Sequence, residues 1–155
     1  MPVFNFYHWS KEFGYTLTQS GPLVSVEISV PAALKEHMSE KGIPIPAPQA
    51  GFALIDTGAF ATAVDQSIFD ALGVAPINKI KTTTPHGEAE SPIYPASVSF
   101  PALSVTDMPM ETLIGCNLKW KSAEGQDIIM LLGRDLLQYF LMVYNGKSAD
   151  VFLAY

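Results

Sequence analysis

The 155-residue sequence contains a single cysteine, Cys116, so no intrachain disulfide can form. Its three histidines, His8, His37 and His86, are scattered, and with one thiol they offer no zinc-ligand spacing. A disulfide-stapled scaffold and a structural zinc site are both excluded, and neither a metal nor a cofactor is expected. No histidine has a Ser or Cys partner in an elbow motif, which leaves a hydrolase triad without support. Basic residues are also scarce. Nine Lys and Arg stand against fifteen Asp and Glu, for a net charge of −6, and no Lys/Arg cluster could displace counterions from a phosphate backbone. Nucleic acid is not an expected partner. No stretch approaches the roughly 18 uninterrupted apolar residues of a membrane span. The opening segment from Met1 to Ser10 lacks a basic region followed by an aliphatic one. A soluble, cytoplasmic protein with no membrane partner is expected.

What the chain does have is apolar side chain in quantity, 48% of the residues against 15% charged, enough to bury a core. Its length suits one domain, taken here as residues 1–155. Strand patterns dominate. Leu23 to Val30 alternates apolar and polar residues and is rich in β-branched types, and Pro31 ends it. Ala32 to Lys41 suits a short helix closed by Gly42. Residues 43–50 carry three prolines, which remove backbone donors and favour an extended surface insertion. Phe52 to Ile55 is a short apolar run. Asp65 is placed to N-cap a helix over Gln66 to Leu72, with Ile68, Phe69 and Leu72 on one face and Gly73 as its stop. Ile77 to Thr84 and Glu88 to Phe100 flank Pro85-His86-Gly87 and predict a hairpin. Thr112 to Cys116 reads as a strand, Asn117 to Gln126 as a polar loop and Ile128 to Leu132 as a fully apolar strand. Arg134 to Phe140 has helical character. Leu141 to Tyr144 and Asp150 to Leu153 flank an Asn145-Gly146 turn signal.

Leu54-Ile55-Asp56-Thr57-Gly58-Ala59 carries the most chemistry. A carboxylate directly after an apolar strand is partly desolvated and therefore costly. Gly58 lets another backbone approach, and the Thr57 hydroxyl can both donate and accept. An Asp-Thr-Gly alone arises by chance in a chain of this length with odds of roughly a few per cent, and the flanking aliphatics and alanine cut this by about a hundredfold. Further along, Leu131-Leu132-Gly133-Arg134-Asp135 repeats the pattern of apolar run, glycine and short helix.

Taken in order, the Asp-Thr-Gly-Ala turn, the intervening hairpin and the Gly-Arg-Asp element resemble the retroviral-type (retropepsin-like) aspartic proteases and their bacterial relatives, over roughly Leu23 to Leu153. The resemblance implies an all-β fold: a closed barrel of short strands with one or two short helices, a flap hairpin and a homodimeric assembly. It implies Asp56 as the catalytic residue, with Thr57, Gly58 and Ala59 forming the active-site turn. Pro85, His86 and Gly87 would be the flap tip, and Gly133, Arg134 and Asp135 the structural support. Acid proteolysis of this kind needs two carboxylates that share one proton and hold one water. The chain has one Asp-Thr-Gly, so the second carboxylate would be Asp56 of another copy, related by a twofold axis. Ala59 lacks a hydroxyl that could favour the ionised carboxylate, so activity is expected at mildly acidic to near-neutral pH. A rate maximum at or below about pH 3 would contradict that.

In one respect the sequence departs from the family. Many retroviral enzymes carry an acid four positions after the catalytic aspartate, as partner to the arginine; here that position is Phe60, leaving Asp65 or Asp135 as candidate partners of Arg134. Residues 1–20 are taken as an N-terminal arm whose aromatics, Phe4, Phe6, Tyr7, Trp9, Phe13 and Tyr15, suit the core, a dimer-interface strand or a peptide-like arm, the interface being favoured. The strand from Asp150 to Tyr155 is expected to be an exposed edge that dimer pairing would cover. The function implied is that of an aspartic endopeptidase acting on an extended peptide or protein substrate. Two readings stand beside it: a catalytically silent dimerisation or peptide-binding module of the same fold, and a small-molecule-binding barrel with Asp56 as a buried polar anchor.

Overall fold

The computed structural model describes residues 3–5, 17–84, 87–123 and 125–155. Eleven strands are present among them: β1 (Val3–Asn5), β2 (Leu23–Ser29), β3 (Gln49–Ile55), β4 (Ala63–Asp65), β5 (Asn78–Thr84), β6 (Gly87–Phe100), β7 (Val105–Cys116), β8 (Trp120–Lys121), β9 (Asp127–Leu132), β10 (Leu141–Asn145) and β11 (Asp150–Ala154). Four short helices join them: α1 (Leu17–Ser20), α2 (Ala32–Glu40), α3 (Gln66–Leu72) and α4 (Arg134–Leu137). Six strands pair in the cyclic order β2-β3-β9-β4-β7-β6, and a β2–β6 pairing closes the ring into a barrel. The chain is thus all-β with a closed barrel, as the resemblance implies. Two pairings in the ring are parallel, β3 with β9 and β4 with β7, and both bear on the site.

Apolar side chains alternate into the barrel. Val24, Val26 and Ile28 of β2, Met130 and Leu132 of β9, and Leu113 of β7 are all essentially solvent-free. Helix α3 closes the barrel with Ile68, Phe69 and Leu72, and the Phe69 ring stacks on Tyr94 at a centroid distance of 4.0 Å. Asp65 caps this helix by accepting the Ser67 N–H at 3.0 Å, and Gly73 ends it at φ +65°, a conformation that favours glycine. Burial raises the proton affinity of the Asp65 carboxyl. Hydrogen bonds from the Ser67 hydroxyl and from the Lys119, Leu118 and Ser67 N–H groups outweigh that and hold it below the ordinary carboxylate range.

Several expectations need correction. The proline-rich insertion does not reach residue 50, because Gln49 and Ala50 pair with β2 at Ile28 and Glu27. Strand β7 begins at Val105 and not at Thr112, so β6 and β7 form a long hairpin with irregular register. The expected loop of residues 117–126 contains β8, paired with β9. The hairpin signalled by Asn145-Gly146 does form, with β10 paired to β11, but its strands run one residue further, to Asn145↔Asp150, leaving four residues in the loop. The final strand is not an edge. β11 lies between β1 and β10 in a three-stranded sheet, with both of its edges used within one chain. The expected arm of residues 1–20 contributes β1 and α1; residues 6–16 lie outside the described part.

Candidate active site

Strand β3 delivers Asp56, and parallel β9 delivers Gly133, Arg134 and Asp135 beside it. The pairing of Ile55 with Leu132 ends both strands at the same level. Two segments far apart in sequence therefore leave the barrel together, and main-chain hydrogen bonds join them. Asp56 N–H donates to the Leu132 carbonyl at 3.0 Å, Arg134 N–H to Ala59 at 3.0 Å and Asp135 N–H to Phe60 at 3.2 Å. The turn closes on itself through the Ala59 N–H and the Asp56 carbonyl at 3.2 Å. The Gly58 N–H donates to Asp56 Oδ1 at 2.9 Å, which orients the carboxylate. A Cβ at Gly58 would stand 3.2 Å from that same oxygen, tighter than side chains normally tolerate. Asp56 is half-buried, while Thr57 and Gly58 are exposed.

Side chains from the Gly-Arg-Asp element lock the turn from below. The Arg134 guanidinium donates to the Thr57 carbonyl at 2.8 Å. Neither acidic candidate is its partner: the one ion pair among the described residues joins Lys121 to Asp127. Asp65 is occupied by α3 and the 118–119 backbone, and Asp135 by Thr62. The Asp135 carboxylate accepts the Thr62 N–H at 3.0 Å and the Thr62 hydroxyl at 2.6 Å, and the Thr62 oxygen accepts the Gly133 N–H at 3.1 Å. Thr62 is fully buried. No motif in the sequence marks it, and a threonine six residues after the aspartate carries no signal of its own.

Gly133 has no alternative. A Cβ there would sit 2.5 Å from the Ala61 carbonyl carbon, 2.6 Å from its oxygen and 2.8 Å from the Thr62 nitrogen, all main-chain atoms. The close approach of the two segments is the physical reason for glycine at this point.

Strands β5 and β6 form the expected hairpin, in register from Asn78↔Ile93 to Thr84↔Gly87. Of the proposed flap tip, Gly87 is described, with φ +118°, while Pro85 and His86 lie outside the described residues. A cavity of about 580 Å³ is lined by Asp107, Met108, Met110, Asp135, Tyr139 and Tyr155, so it reaches the Gly-Arg-Asp element, and another of about 480 Å³ is lined by Asp65, Lys119, Trp120 and neighbours. Neither is lined by Asp56. Among the described residues no group of three His, Cys, Asp or Glu side chains could hold a metal ion, and no helix is long and apolar enough to cross a membrane. Cys116 is partly buried, and its thiol is pushed up to about 11 by burial and by the Asp65 carboxylate.

No protein-family model matches the chain, and no curated protein matches it by sequence. Among solved structures, the solution structure of the simian foamy virus (mac) protease is similar, at 17% identity and a TM-score of 0.43. The match covers 76% of this chain and 92% of the viral one.

Proposed function

We propose that the protein is an aspartic endopeptidase, in which Asp56 of one copy and Asp56 of a second copy activate a water molecule for attack on a peptide bond. The observation that carries this reading is the half-buried Asp56 carboxylate on a turn fixed by β9, beside exposed Thr57 and Gly58. A carboxylate held by one N–H, with little side-chain bulk next to it, leaves its second oxygen for a water or for a symmetry-related carboxylate. One protomer supplies one such group, and the chemistry needs two: an ionised member to take a proton from water, and a neutral one to give a proton to the scissile carbonyl. A homodimer with its twofold axis beside the turn meets that need. The β5–β6 hairpin would cover bound peptide, with Pro85, His86 and Gly87 at its tip excluding bulk water. Thr57 would bond across the axis. A peptide or protein substrate and a cytoplasmic location belong to the same proposal.

The test is cleavage of an unfolded reporter protein by the purified chain and by Asp56→Asn. Loss of cleavage in Asp56→Asn, with folding and dimerisation kept, is the expected result. Cleavage that survives the substitution would assign the activity elsewhere. A wild-type protein that dimerises but cleaves nothing, and whose melting temperature a hydroxyl-bearing transition-state peptide does not raise, would leave a silent dimerisation module.

A further inference from the structure

We propose that the cavity beside β7, α4 and the end of β11 binds an organic cation, an ammonium or guanidinium group carried on an apolar body. Asp56 does not line it, so the proposal stands apart from the endopeptidase reading. Its volume of about 580 Å³ falls in the range of roughly 300–1,000 Å³ that small-molecule sites occupy. Its charge is of one sign: Asp107 and Asp135 line it, and no lysine, arginine or histidine among the described residues does. Beside the acids stand the phenol rings of Tyr139 and Tyr155, 58% and 49% exposed, and the thioethers of Met108 and Met110. Ring faces carry negative potential that attracts a weakly hydrated positive group, and thioethers are polarisable. Anions are repelled from such a lining, and a neutral ligand gains nothing from its carboxylates. A metal ion finds no group of three ligating His, Cys, Asp or Glu side chains among the described residues. Acid, aromatic and thioether together select a cation with an organic body.

Much of this lining is held in place by the fold itself. The Tyr155 ring packs on Phe140 at a centroid distance of 5.4 Å, and Phe140 packs edge-on against the buried Phe100, also at 5.4 Å. Met108 and Met110 pack against the core, and the Asp135 carboxylate is fixed by the Thr62 N–H and hydroxyl. Asp107 sits at φ +51°, in the left-handed region where aspartate and asparagine are enriched among residues with a side chain, and the Ser99 hydroxyl oxygen accepts its N–H at 2.9 Å. Ser104, at φ +55°, lines the same cavity. Two of the four described non-glycine residues with positive φ therefore border it, and backbone in such sparsely populated conformations concentrates at binding sites. On its other side Asp107 borders a smaller hollow with Lys35 and Glu36, but the one ion pair among the described residues is Lys121 with Asp127, so Lys35 does not neutralise it by pairing.

Titration of the full chain with benzyltrimethylammonium, followed through the Met108 and Met110 methyl signals by NMR, tests this beside benzyl alcohol and benzoate, which share the ring without the positive charge. Saturable binding of the cation alone is expected, with a dissociation constant of about a few millimolar or tighter. Asp107→Asn removes the charge and keeps a residue suited to positive φ, while Tyr139→Leu removes the ring and keeps apolar bulk. Each should weaken binding roughly threefold to thirtyfold. Both side chains are exposed, so both variants should keep the wild-type melting temperature. N-acetylarginine amide separates two sources of the same chemistry: tighter binding than benzyltrimethylammonium assigns the cavity to an arginine side chain of a peptide, and weaker binding to a free amine. Saturable binding of neither cation overturns the proposal. So does equal binding of benzyl alcohol, or an affinity that neither substitution lowers.

Discussion

Replacing Thr62 by valine removes one oxygen from a fully buried position and keeps the shape of the side chain. Two interactions end together. The Asp135 carboxylate loses the hydroxyl that donates at 2.6 Å, and the Gly133 N–H loses the acceptor it reaches at 3.1 Å. A hydrogen bond to a charged group contributes about 1.5–3 kcal/mol, and a buried donor left unpaired costs about 1–3 kcal/mol. The added methyl returns less than about 1 kcal/mol. The net expectation is a destabilisation of about 1.5–5 kcal/mol, a substantial part of the 5–15 kcal/mol that holds a typical domain. For a chain of this size it corresponds to a fall in melting temperature of roughly 3–20 °C. Thr62→Ser keeps the oxygen and deletes only a methyl, so it should cost about 1 kcal/mol. Urea denaturation of the two variants beside wild type separates the effects. The reasoning fails if valine stays within about 1 kcal/mol of wild type, or if serine costs as much as valine; either would mean that the oxygen is not what joins the two segments.

Gly133→Ala drives a Cβ into the main chain at Ala61 and Thr62, with no flexible side chain to give way. It should destabilise by about 3 kcal/mol or more, whereas Gly73→Ala, with open space around it but φ +65°, should lose only about 1–2 kcal/mol; equal melting temperatures for the two would refute the steric argument. Asp65→Ala removes the α3 cap and the acceptor of the Leu118 and Lys119 N–H groups, for a loss of about 2–3 kcal/mol at neutral pH. The folded protein holds this carboxyl below its unfolded value, so its contribution is complete above about pH 4 and disappears as pH falls through the lower, folded value. The stability gap between wild type and Asp65→Ala, followed by denaturant titration at successive pH values, should therefore be flat from neutral pH down to about 5 and narrow only in stronger acid. A gap that narrows between pH 7 and 5 would contradict this. Cys116, with its thiol pushed up to about 11, should react with a thiol reagent at pH 8 far more slowly in the native protein than in denaturant, by mass spectrometry or absorbance. Equal rates would refute that.

The sequence made the parts of this site legible where local pattern and local structure coincide. The apolar runs ahead of Asp56 and Gly133 read as strands because both are buried in the barrel, and Asp65 read as a cap because its partner Ser67 is two residues away. Distant partners left no such trace. Arg134 was expected to seek a carboxylate, but it donates to a main-chain carbonyl, and main-chain acceptors have no residue code. The first half of β7 was missed because Thr106, Asp107 and Pro109 break strand periodicity; Asp107 has φ +51°, and the register with β6 shifts there. The last strand read as an edge because nothing in its own residues announces that β1, from the other end of the chain, pairs with it.

The bonds that fix the candidate carboxylate also determine how cleanly its chemistry can be tested. Four of the contacts that join the turn to itself and to the Gly-Arg-Asp element are main chain to main chain. The Asp56 side chain takes part through one hydrogen bond, as acceptor of the Gly58 N–H. An asparagine amide oxygen can accept that same bond, so Asp56→Asn removes the acid without releasing the turn. Asp135→Asn does not separate the two so cleanly, because both carboxylate oxygens of Asp135 accept from Thr62 and an amide has only one acceptor. Loss of activity on changing Asp56 therefore speaks to chemistry, while loss on changing Asp135, Thr62 or Gly133 speaks first to the scaffold that holds the carboxylate in place.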